Sequence, residues 1–134
     1  MAVIQRFEDI EAWKKARELS KAIYRVTRGG DFARDAPVRD QIRRAVISIM
    51  SNIAEGFERG GDKEFRQFLS MAKASTAEVK SHLYVALDAE FITEAQFDTL
   101  YGLAAEVSRL IGGFMRYLGR STFRGSKYHS SKNH

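Results

Sequence analysis

The chain has 134 residues, enough for one domain with a buried core, and no cysteine, which excludes disulfides and thiolate metal sites and suits a reducing cytoplasm. A single proline disfavours a many-stranded sheet, and no apolar run approaches the roughly 18 residues of a membrane span. The net charge of +5 is uneven: four cations and no acid follow residue 118, leaving 18 bases against 17 acids, and acids outnumber bases over 81–118.

From Asp9 to about Arg28, Ala12, Trp13, Ala16, Leu19, Ile23 and Val26 recur at a helical period, and Gly29-Gly30 terminates the pattern. Lys14, Arg17, Lys21, Arg25 and Arg28 fall within about 80° of one another on such a helix, a ridge about 20 Å long. A phosphate backbone asks for several cations along one line, which this ridge supplies. It also reads as a solvated face that Glu11 and Glu18 neutralise in part.

A loop over Gly29–Asp35 is expected next, with Asp35 capping and Pro37 in the first turn of a helix that ends near Gly56–Gly61. In that helix Gln41, Arg44, Ser48, Ser51, Asn52 and Glu55 form one polar strip. The remaining apolar arc spans roughly 200°, about twice what one core needs. Arg43, Arg44 and Arg59 add guanidinium groups suited to bidentate phosphate contacts. Arg44, Ser48, Asn52 and Glu55, reached by Glu78, read either as a hydrogen-bonded layer between helices or as a polar groove.

Asp62 is expected to cap the following helix, whose inner side is Phe65, Phe68, Leu69, Ala72, Val79, Leu83, Ala86 and Leu87. Thr93 and Gln96 have the capping-box spacing ahead of Phe97, Leu100, Leu103, Ala104, Val107, Leu110, Ile111, Phe114 and Leu118. The expected fold is all-α: an antiparallel up-down four-helix bundle over 1–118, with a flexible basic C-terminal tail over 119–134. No catalytic constellation, cofactor motif or metal-ligand spacing stands out. Glu78 and His82 share one helix face, a helix-surface pair more than a general base or half a metal site.

Gln41, Arg43, Arg44, Ala45, Ser48, Ile49, Ser51, Asn52, Ile53, Ala54, Glu55, Gly56 and Arg59 match the pattern Q-[IL]-R-R-A-x-x-S-I-P-S-N-I-A-E-G-x-x-R, with Met50 in place of its proline. That pattern resembles the family of small bundle proteins of intervening sequences in bacterial 23S ribosomal RNA genes. The family includes the accessory variability protein of diversity-generating retroelements. The Phe7–Ala16 segment is similar to the family's F-x-D-L-x-x-W-x-K-A opening, and Phe65–Glu78 to its third helix. The resemblance spans 7–118. It implies a homo-oligomer, a pentameric ring being the expected form, and for retroelement members binding of nucleic acid and a reverse transcriptase through a basic surface.

The functional expectation is therefore a cytoplasmic, non-enzymatic, oligomeric bundle, without membrane attachment. It would bind RNA or DNA with little sequence preference through Lys14, Arg17, Lys21, Arg25, Arg28, Arg43, Arg44 and Arg59. The rival is a protein–protein scaffold with no nucleic-acid role. Ile47, Met50 and Ala54, left over after one core is served, are the expected subunit interface.

Overall fold

A computed structural model describes residues 3–120, which form five α-helices and no strand. A 3-10 turn at Phe7–Asp9 leads into α1 (Glu11–Thr27), α2 (Gly30–Arg34), α3 (Ala36–Arg59), α4 (Asp62–Asp88) and α5 (Glu94–Arg120). The four long helices are the expected bundle. They pack in the cyclic order α1, α3, α4, α5, with α5 returning to α1. Contacts run in opposite senses along neighbours: Tyr84 meets Phe97 at one end of α4 and Phe65 meets Phe114 at the other.

The core follows the helical period. Ala12, Ala16, Leu19 and Ile23 of α1 face Ile42, Val46, Ile49 and Ile53 of α3, and Leu69, Val79, Ala104, Val107 and Ile111 complete the interior. Phe65 sits between Phe57 and Phe114, with ring centroids 6.1 and 5.4 Å away. Such edge-on contacts suit the ring quadrupoles.

Local chemistry sets the helix ends. Asp35 Oδ1 accepts the Val38 amide at 3.2 Å, as its capping position demands. Thr93 and Gln96 exchange bonds as a complete capping box, Gln96 N–H to Thr93 Oγ1 at 3.0 Å and Thr93 N–H to Gln96 Oε1 at 2.9 Å. At the end of α4 the amides of Glu90 and Phe91 bond back to Leu87 and Ala86. This is a Schellman closure with Glu90 at φ 63°, where glycine is the usual residue.

Three boundaries differ from expectation. The Gly29–Asp35 segment is not all loop: α2 forms because Phe32 buries itself and stacks on Phe91 at 5.2 Å. Asp62 does not cap α4; it is the first helical residue, and Gly61 occupies the capping position without a side-chain bond. The last helix continues through Arg120, past the expected end at 118. The rest of the expected flexible tail lies outside the described residues.

Packing is tightest between α3 and α4. A Cβ on Gly56 would stand 2.7 Å from Phe68 Cβ and 2.9 Å from Phe65 Cδ1, so only glycine lets the helices meet there. Gly102, in α5, has open space around it. Gly56→Ala should lower stability by about 1–3 kcal/mol, its steric cost exceeding the gain in helix propensity. Gly102→Ala should raise stability by roughly 0.5–1 kcal/mol through propensity alone. Urea midpoints of the two variants should move in opposite directions. Glu90→Gly should stabilise by about 0.5–1 kcal/mol by relieving the left-handed backbone, read in the same titration.

Candidate nucleic-acid interface

The α1 ridge is built as its spacing requires: Lys14, Arg17, Lys21, Arg25 and Arg28 are all exposed. Lys14 pairs with Glu11 at 3.3 Å, and the Arg17 guanidinium lies 5.9 Å from the Trp13 ring centre. Glu18 does not neutralise the ridge. Lys15 holds it at 3.2 Å and reaches Glu106 of α5 at 3.6 Å. The Glu18 hydrogen bond, reinforced by Glu106, raises the Lys15 pKa. Among the described residues, Lys21, Arg25 and Arg28 have no carboxylate within 4.0 Å.

Arg43, Arg44 and Arg59 of α3 do not join this line as one surface. Arg43 is half-buried: its Nε donates to Thr27 Oγ1 at 2.8 Å and its guanidinium stacks 4.4 Å from the Tyr24 ring centre. That makes it a cross-link between α1 and α3. Thr27 is fully buried, and its hydroxyl also donates to Ile23 O at 2.8 Å, so the arginine satisfies its second valence. Arg44 is exposed in the field of Asp40, whose carboxyl is held below its ordinary pKa by the Arg39 hydrogen bond and then by the charges of Arg39, Arg43 and Arg44. Arg59 pairs with Glu55 at 3.4 Å and lies 5.3 Å from the Phe68 ring, at the opposite end of α3 from Arg43.

The polar layer is smaller than expected and includes a residue the sequence did not suggest. Ser48 Oγ meets Ser75 Oγ at 2.9 Å, and Asn52 Nδ2 donates to Ser48 O at 2.9 Å and to Ser48 Oγ at 3.0 Å. Arg44, Glu55 and Glu78 are exposed and stand outside it. Short side chains fit the narrow seam between α3 and α4, whereas the longer ones project to water. Ile47 is 47% exposed, while Met50 and Ala54 are half-buried. His82 Nε2 is buried without a hydrogen-bond partner, and Glu78 does not reach it. Among the described residues no three His, Asp or Glu side chains gather as a metal site, and no helix is long and apolar enough to cross a membrane.

A second basic surface, absent from the sequence reading, runs along the groove between α4 and α5. Two open clefts line it, one bordered by Lys63, Arg66 and Arg116 and the other by Lys73, Lys80, Arg109 and Arg116. A signal was present: 66, 73 and 80, like 109 and 116, stand seven residues apart and so return to one helix face. Segment charge totals hid it, because Arg109 and Arg116 of α5 sit in an acidic stretch.

Among curated proteins none matches the chain. A solved structure from Bacteroides thetaiotaomicron VPI-5482, a protein of unknown function from the S23 ribosomal protein family, superposes with a TM-score of 0.71 at 21% identity. The match covers 78% of this chain and 97% of that one, and it establishes the shared bundle fold. The family model of the 23S rRNA-intervening sequence protein matches residues 8–113, including the whole of α1 to α4. On that match, the chain belongs to the 23S rRNA-intervening sequence protein family.

Proposed function

We propose that the protein is a non-catalytic, homo-oligomeric bundle of the cytoplasm that binds RNA or DNA with little sequence preference. The observation that carries this reading is the α1 ridge, whose Lys21, Arg25 and Arg28 have no carboxylate partner among the described residues while Lys15 draws Glu18 away. Cations spaced along one helix fit a continuous line of phosphates better than a single small anion. Repetition of the ridge around a symmetric assembly would multiply the contacts a long strand makes.

Binding should weaken with a slope of about 0.7–0.9 log units per tenfold salt for each phosphate neutralised. The triple variant Lys21→Gln/Arg25→Gln/Arg28→Gln should lower that slope by about 2, measured by filter binding over a salt series. A slope unchanged in the variant would remove the ridge from the interface.

The rival reading, a protein–protein scaffold, has its own support in Ile47, which is 47% exposed beside half-buried Met50 and Ala54. An apolar side chain at that exposure suits a contact between subunits or with another protein. Ile47→Lys should reduce the oligomer seen by light scattering while leaving the helical circular dichroism intact. An oligomer of unchanged mass would place the subunit contact elsewhere. Full nucleic-acid binding by the ridge variant together with loss of a protein partner from Ile47→Lys would favour the scaffold.

A further inference from the structure

The groove between α4 and α5 gathers cations from both helices. Among the described residues, Arg66, Lys73, Arg109 and Arg116 make no ion pair within 4.0 Å. Lys73 Nζ and Arg116 Nη1 both overhang Gly112, 3.8 and 3.6 Å from where a Cβ would stand. Arg66 Nη1 overhangs Gly119 in the same way, at 3.0 Å. The two glycines leave the α5 backbone bare, so cations rooted on α4 reach across the groove. Like charges gathered over one glycine raise each other's energy, and an anion seated between them removes that cost.

One end of the groove has a different chemistry. Tyr84 is 50% exposed and lies 4.9 Å from Phe97 and 5.8 Å from Tyr101, ring centre to ring centre. Phe97 and Tyr101 stack at 5.3 Å, and Lys80 Nζ sits 5.4 Å from the Tyr101 centre. Lys80 thus joins the line of cations to an aromatic cluster whose Tyr84 is exposed and whose Phe97 and Tyr101 are half-buried. A cationic track ending in aromatic faces is how proteins hold unpaired bases.

We infer that the α4–α5 groove seats a single-stranded nucleic acid, its phosphates along Arg66, Lys73 and Arg116 and an unpaired base against Tyr84. A duplex keeps its base faces stacked inside and offers this groove only phosphates. An acidic peptide offers charge without π faces for Tyr84. From Lys63 to Tyr84 the groove runs about 32 Å along α4, room for several nucleotides. The inference rests on the nucleic-acid reading above but uses none of the α1 residues.

The test is fluorescence anisotropy of the full chain with a labelled, unstructured RNA strand, its duplex, and polyglutamate as competitor. Lys73→Gln/Arg116→Gln should weaken strand binding about tenfold or more at low salt and lower the salt slope by about 1.4. Lys73→Arg/Arg116→Lys, which keeps both charges, should retain binding. Tyr84→Ala should weaken strand binding about fivefold or more and change duplex binding by less than about twofold. All altered side chains are exposed, and unchanged circular dichroism confirms folding. If the groove variants bind normally while Arg25→Gln/Arg28→Gln loses affinity, the groove assignment falls and the general reading stands. Absence of any binding at low salt overturns both. Equal losses for strand and duplex in Tyr84→Ala overturn the single-strand assignment. Displacement by polyglutamate as effective as by RNA of matched charge assigns the groove to an acidic protein instead.

Discussion

The seam between α3 and α4 is the constraint on which the rest of the bundle depends. Gly60 and Gly61 connect the two helices with Gly60 left-handed at φ 83°, so α4 returns directly along α3. Gly56 then fixes how closely they meet, since any side chain there would strike Phe65 or Phe68. Ser48 and Ser75 fix the register. Ser75 is only 7% exposed, so sliding one helix along the other would strand hydroxyls out of water's reach at about 1–3 kcal/mol each. With α4 held in that register, Phe65 lands between Phe57 and Phe114, and α5 must run so that Tyr84 meets Phe97 and Lys73 overhangs Gly112. The basic groove is a product of the core's alignment.

Charge in this protein divides by function in a way that counting cannot show. Arg43 spends its guanidinium on Thr27 and Tyr24, holding α1 to α3. Lys15 bridges α1 to α5 through Glu18 and Glu106. Arg59 is pinned beside Phe68 by Glu55. These cations stabilise the bundle, and their charge is largely answered within it. Two further sets of cations form tracks, Lys21, Arg25 and Arg28 on α1 and Arg66, Lys73, Arg109 and Arg116 along the α4–α5 groove, and among the described residues none of these seven has a carboxylate within 4.0 Å. α1 and α4 are not neighbours in the ring of helices, so the α1 cations and those of α4 stand on diagonally placed helices.

What the sequence disclosed was whatever is decided within a few residues. The period of Phe65, Leu69, Ala72, Val79 and Leu83 is a property of one helix, and the structure buries all five. Asp35 and the Thr93–Gln96 pair cap helices through bonds spanning three residues, so their spacing alone announced them. Reading failed where the deciding partner is distant. Arg43 looked like any arginine until Thr27, sixteen positions earlier, proved to face it. Ser75 carries no mark of its pairing with Ser48, which lies twenty-seven positions back. Phe32 sits between glycine-rich and charged residues that advertise a loop, and only Phe91 explains why a helical turn forms there. The groove failed for a related reason: its cations come from two helices whose relative register no local pattern encodes.

The stacking of Phe32 on Phe91 has a consequence for how the molecule opens. It joins α2, which links α1 to α3, with the turn between α4 and α5, so both crossings at that end close against each other. Neither connection can loosen alone without exposing a ring that is 1% accessible in the folded chain. A five-residue helix would ordinarily fray on its own. Here its amides should exchange with solvent only on the timescale at which the helices themselves part. One end of the bundle thereby behaves as a single cooperative unit built from segments far apart in the chain.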